Sequence, residues 1–199
     1  MKKGAILLLK IFKILSINLI FISLVGILTI HFIDYIEDGK IFSTTILASS
    51  DEINHQLYED DIIFAKDNEE QALEIIRIQH QFLNNVTGWG GLEVINMRNL
   101  ITSDNWMELK SAVNWLKKEA FLPSKVLNDM ENARVLIIIT ERDGDKATLR
   151  YLHRIFHDLD LNLNKVTEDQ RDSTTWGVTH SFGNTREIRR LNNYVFQNY

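Results

Sequence analysis

The sequence predicts a mostly α-helical domain carried on a single N-terminal membrane-spanning helix, and three observations predict it. The stretch from Ile14 to Ile33 is apolar, contains no Asp, Glu, Lys or Arg, and is about the length a helix needs to cross a hydrocarbon core. The chain has one proline, Pro123, set among helix-forming residues. Apolar residues recur at spacings of three and four, most clearly at Trp106, Leu109, Val113, Leu116 and Ala120. About five or six helices are expected after the anchor, with room for a short two-stranded element.

The flanks of the apolar stretch give it a direction. Lys2, Lys3, Lys10 and Lys13 precede it, whereas Asp34, Glu37 and Asp38 follow. Positive charge resists translocation, so residues 1–13 are expected in the cytoplasm and the C-terminal part outside it. A cleaved signal peptide shares the basic-then-apolar pattern. Here the apolar run exceeds the usual length of such a segment, and the nearest small-residue site, Leu47-Ala48-Ser49, lies far past its end. The organisation expected is therefore a basic N-terminus at 1–13, an anchor at 14–33, a stalk at 34–48 and an extracytoplasmic helical domain at 49–199. Membrane lipid is the partner of the anchor.

Charge and cysteine content narrow the function classes. The chain holds 22 Lys and Arg and 27 Asp and Glu; the four lysines before Asp34 leave 18 cations against 27 anions in the exported part, a formal charge of −9. Such a balance argues against nucleic acid or anionic lipid as the partner, because both need clustered cations. With no cysteine, disulfides, iron–sulfur clusters and thiol catalysis are excluded.

Along the exported part, Ser49-Ser50-Asp51-Glu52 fits a capping box opening a helix to about Phe64, with a thin apolar face at Ile53, Leu57 and Phe64. Asp67-Asn68-Glu69-Glu70 offers a second helix start, followed by a broad apolar face of Ile75, Ile76, Ile78, Phe82, Leu83 and Val86. Gly88-Trp89-Gly90-Gly91 is expected to end that helix through left-handed glycines. Residues 92–101 read as a short strand or a loop. Thr102-Ser103-Asp104 then supplies caps for the helix of Trp106 to Ala120. After Pro123 a helix runs from Ser124 to Arg134. Val135 to Thr140 reads as its buried continuation, because Leu127, Met130, Ala133 and Ile137 keep helical spacing; a strand pairing with 92–95 is the alternative.

Arg142-Asp143-Gly144-Asp145 marks a turn. A helix from Asp145 to about Asn162 follows, with Leu149, Leu152, Ile155, Phe156 and Leu159 on one face. Residues 166–175 read as a polar loop. The glycine-bracketed Gly177-Val178-Thr179-His180-Ser181-Phe182-Gly183 is expected to pack, and Asn184 with Glu187 caps a last helix bearing Ile188, Leu191 and Val195.

Chemistry concentrates on the helix YLHRIFHDLDLN. At 100° per residue, His153, His157 and Asp160 share one stripe at i, i+4 and i+7. Two imidazoles and a carboxylate so spaced suit zinc or another transition metal, with His180 or water completing the shell. The same geometry lets a carboxylate orient a histidine as a general base. Against both stands a packing role at the edge of a buried face. No HExxH, GxGxxG, phosphate loop or GxSxG is present. Arg186, Arg189 and Arg190 form the one local basic cluster and read as a solvated helix face paired with acids. Trp89 and Trp176, beside glycines, admit a carbohydrate-binding reading as well as a loop-anchoring one.

MKKGAILLLK before the anchor, the IQHQ…WGG segment around His80 and Trp89, LHRIFHDLD and WGVTHSFG together resemble the small single-pass membrane proteins frequent in low-GC Gram-positive bacteria. The likeness lies in organisation more than motif. It implies a Gram-positive cell membrane and carries over no activity, cofactor or functional residue. The function expected is protein contact, as an accessory or regulatory subunit for a membrane or cell-envelope protein, without catalysis or cofactor. The alternative is a metal-binding or metal-dependent module on His153, His157, Asp160 and His180.

Overall fold

The computed structural model describes residue 53 and residues 55–88, 90–164 and 174–199. The expected anchor at 14–33, the stalk, the Ser49–Glu52 capping box, Trp89 and most of the 166–175 loop lie outside the described residues. Ile53–Tyr199 forms one compact unit. Its helices are α1 (Glu69–Thr87), α2 (Gly91–Val94), α3 (Met97–Ile101), α4 (Asp104–Trp115), α5 (Val126–Asp143), α6 (Lys146–Leu163) and α7 (Thr185–Asn198). Among the described residues there is no strand, only an isolated antiparallel bridge between Phe64 and Phe121. No helix among them is long and apolar enough to cross a membrane.

Helix α5 is the hub. It packs on α4, α6 and α7, while α1 lies along α6 and touches α4. Met130, Ala133, Val135 and Leu136 are fully buried, so the run Val135 to Thr140 is the second half of a central helix and not a strand. Its β-branched residues fill the interior because every side of α5 is covered; tertiary burial overrides the modest helix propensity of Val and Ile. Asn128, Glu131 and Thr140 of α5 are buried as well, and each holds a different neighbour. Asn128 binds the backbone of Gln56 through both N–H and C=O (3.0 and 2.8 Å). Glu131 takes the Arg134 guanidinium and the Lys117 ammonium. Thr140 meets the Thr148 hydroxyl at 2.6 Å, joining α5 to α6.

The expected helix over 49–64 is not found where the chain is described. Residues 55–64 instead form a strap across the end of α4 and the start of α5. The Lys125 and Val126 amides, orphan donors at a helix start, give their hydrogens to the Asp60 and Asp61 carbonyls (2.9 and 3.1 Å). Leu122 N–H bonds the Ile63 carbonyl and Ala65 N–H bonds the Ala120 carbonyl, both at 2.8 Å. The strap's backbone is thus satisfied by neighbours, which its thin apolar face could not achieve as a helix.

Helix α1 buries Ala72, Ile76, Gln79 and Leu83, leaving Ile78 at the surface. Asn68 stands before it without capping it; its side-chain amide donates to the Glu119 carbonyl (2.8 Å). Gly88 ends α1 in an extended conformation, contrary to the left-handed cap expected, and Gly90 takes the left-handed one (φ 81°) to open α2. Residues 92–101, read as strand or loop, are two short helices that bury Leu92 and Leu100. Ser103 caps α4 through the Trp106 amide (3.3 Å), and α4 ends in a π-helical turn, Leu116–Ala120. Asp145, read as the first residue of its helix, caps α6 through the Ala147 amide, and Asn184 caps α7 as the sequence predicts. All five apolar residues expected on α6 are fully buried.

Candidate functional site

The seam between α1 and α6 gathers the histidines. His153 and His157 stand one turn apart on α6 with ring centroids 6.0 Å apart. His80 of α1 enters between them, 5.4 Å from His153 and nearly parallel to it, and 5.1 Å from His157 and perpendicular. Asp160 completes the group through His80, whose Nδ1 donates to Oδ2 at 2.7 Å. Asn164 donates to the other Asp160 oxygen (2.6 Å) and to the Leu73 carbonyl of α1 (3.0 Å). Burial opposes ionisation of Asp160, but the hydrogen bonds from His80 and Asn164 outweigh it and hold the carboxyl below its usual value. With Nδ1–H committed to Asp160, neutral His80 carries its lone pair on Nε2, the arrangement that suits a base or a metal ligand.

His180 is placed in another cluster. Its ring lies 4.9 Å from His55 of the strap, and its Nε2 donates to Asn192 of α7 (3.3 Å). His55 Nε2 donates to Asn132 Oδ1 (2.9 Å), and Asn132 in turn donates to Asn192 (3.2 Å). Burial lowers the His55 pKa, and burial together with the neighbouring His55 brings His180 down to about 4. Below this pair, fully buried Asp129 accepts the His180 amide (2.5 Å), the Ser181 amide (3.1 Å) and the Ser181 hydroxyl (2.6 Å). Burial raises its pKa to about 7 despite those bonds. Asp158 likewise accepts the Trp176 and Val178 amides (2.6 and 2.9 Å). Two interior carboxylates therefore clamp the glycine-bracketed segment, which packs as expected.

Within that segment only glycine fits at 183. An added Cβ would lie 2.2 Å from the Thr179 carbonyl oxygen and 2.4 Å from that of Gly177. Trp176 is half exposed, with the Arg154 guanidinium 4.7 Å over its ring and His157 at 6.4 Å.

Of the residues read as a metal shell, the structure therefore groups His153, His157 and Asp160, gives His180 to the His55 cluster, and brings in His80 from elsewhere in the chain. Among the described residues no three His, Asp or Glu side chains are arranged to hold a metal ion. Spacing within one helix could not reveal His80. Its signal was the lone histidine at the edge of the Ile76–Leu83 face.

Among the described residues two open grooves lie elsewhere. One, about 550 Å³, runs between α1 and α4 past Ile75, Ile78, Met107, Ala112 and Trp115. Its floor holds Gln79, 5% exposed, whose buried Oε1 accepts no hydrogen bond among the described residues. Its rim carries Asp104 and Glu108, neither in an ion pair among the described residues, and no cation. The second, about 460 Å³, lies beside α7 and is lined by Tyr151, Arg186, Arg189, Arg190 and Asn193 among others.

The fold and these sites define a class, an all-helical domain with a histidine-filled helix seam and a clamped C-terminal loop. Comparison with known proteins goes no further: no protein-family model, no curated protein and no solved structure matches the chain.

Proposed function

We propose that this chain is a membrane-anchored domain, N-terminus cytoplasmic and helical part extracytoplasmic, that works by contact with a membrane or cell-envelope protein. The observation that supports this most is the α1/α4 groove, where half-exposed Ile78 and Met107 flank a buried carbonyl oxygen lacking a donor. Aliphatic walls with an acidic rim suit an amphipathic partner helix whose apolar stripe is flanked by Lys or Arg. The occupant proposed is such a helix.

A photo-crosslinker at Met107, compared with one at exposed Arg98, tests the reading in intact membranes. It predicts a Met107-specific adduct on a helical segment bearing basic residues beside an apolar stripe. An adduct no stronger than at Arg98, or one on a segment without those basic residues, would overturn it.

A second reading, a site for zinc or a similar ion, draws on His80, His153 and His157 in place of the His180 set. Imidazoles sharing one tetrahedral ion at about 2 Å per Zn–N bond place their ring centres about 5 Å apart, close to the spacing of this cluster. Side-chain rotation would be needed to converge the nitrogens. Metal content of protein purified without chelator or affinity histidines tests it. Stoichiometric zinc lost in His80→Ala would support the site, and no metal in either protein would end it.

A further inference from the structure

We infer that the groove beside α7 is a binding site for a phosphate group. The overall acidity of the exported part conceals a local reversal here. Arg186, Arg189 and Arg190 sit at i, i+3 and i+4 on α7, so the three guanidiniums are neighbours on one helical face and repel one another. Arg186 also lies in the first turn, where the helix dipole is itself positive. A single acid, Glu187, answers them, 3.0 Å from Arg190 and 3.8 Å from Arg186, and Arg189 has no ion pair among the described residues.

The groove wall is built from Tyr151 of α6 and Tyr194 of α7, with ring centroids 4.9 Å apart. Arg154 lies 5.7 Å over the Tyr151 ring and, closer, 4.7 Å over the Trp176 ring, outside the groove lining. Asn193 and Gln197 continue the donor-bearing face down the helix. Planar guanidiniums on one helical face beside amide donors suit the oxygens of a phosphate, which accept paired N–H bonds. Occupancy would relieve the repulsion that the fold leaves in place. This site is separate from the α1/α4 groove and does not depend on the contact reading.

Phenylglyoxal labelling of the full chain in neutral-detergent micelles, read by residue-resolved mass spectrometry, tests the inference. Inorganic pyrophosphate is one probe and phosphatidylglycerol doped into the micelles is the other. Either should slow labelling of Arg186, Arg189 and Arg190 while exposed Arg98 and Arg150 are unaffected. Protection by pyrophosphate identifies a free phosphate compound, and protection by the lipid alone identifies a headgroup. In Arg189→Gln, at an exposed position that should leave the fold unchanged, protection of Arg186 and Arg190 should need about tenfold more probe. Labelling unchanged by both probes, or slowed equally at Arg98 and Arg150, would overturn the site.

Discussion

His80 and Asp160, eighty residues apart in the chain, meet at 2.7 Å across the α1/α6 seam, and the same carboxylate holds Asn164, which reaches back to the Leu73 carbonyl. A single buried acid thus ties two points of α1 to α6. Asp160→Asn keeps the shape but removes the charge that strengthens both bonds, and should cost about 1–3 kcal/mol in denaturant unfolding. The pKa of Asp160 is depressed, so its stabilisation is present above the unfolded carboxyl value and disappears as pH falls through the lower folded value. The variant should therefore lose less stability than the parent on strong acidification.

The His55/His180 pair sets a second pH dependence. Both pKa values are lowered, His180 to about 4, so both rings are neutral when folded and take protons more readily when unfolded. Their contribution is present above the unfolded value of about 6.5 and is lost as pH falls below it. Asp129 acts oppositely. Its pKa is raised to about 7, so the folded chain holds that proton more tightly, and stability from this group declines as pH rises through the interval up to 7. Asp129→Asn removes that opposing slope. Its stability curve between pH 4 and 6.5 should be steeper than the parent's, by thermal unfolding at matched ionic strength.

Gly183→Ala should destabilise the chain by about 1–3 kcal/mol or more, because the new methyl meets two carbonyl oxygens inside contact distance and backbone cannot retreat as a side chain would. Hydrogen exchange should then show early opening of the Val178, His180 and Ser181 amides, which the two carboxylates now hold.

Leu152, fully buried on α6, and Leu57, fully exposed on the strap, are the same residue in opposite environments. Leu152→Ala should cost about 2–5 kcal/mol through lost burial and a cavity. Leu57→Ala should stay within about 0.5 kcal/mol of the parent. Equal effects would mean that the strap packs differently from the arrangement described.

What the sequence determined by itself was whatever rests on local periodicity and local hydrogen bonding. The apolar faces of α4 and α6, the caps at Ser103 and Asn184, and the grouping of His153, His157 and Asp160 all follow from residues within two turns of one another. Val135 to Thr140 was legible as helix because it continues the spacing of Leu127, Met130 and Ala133. What only the tertiary structure decided were matters of partnership between distant segments. The strap at 55–64 has its form because α5 supplies hydrogen bonds to it, and no cap signal at Ser49–Glu52 carries that information. His80 joins His153 and His157, while His180 goes to His55, because α1 lies along α6 and the C-terminal loop is clamped by Asp129 and Asp158. One helix fixes the spacing of its own side chains; which histidine faces them depends on how the buried surfaces of different helices pack, and periodicity within a single segment does not encode that.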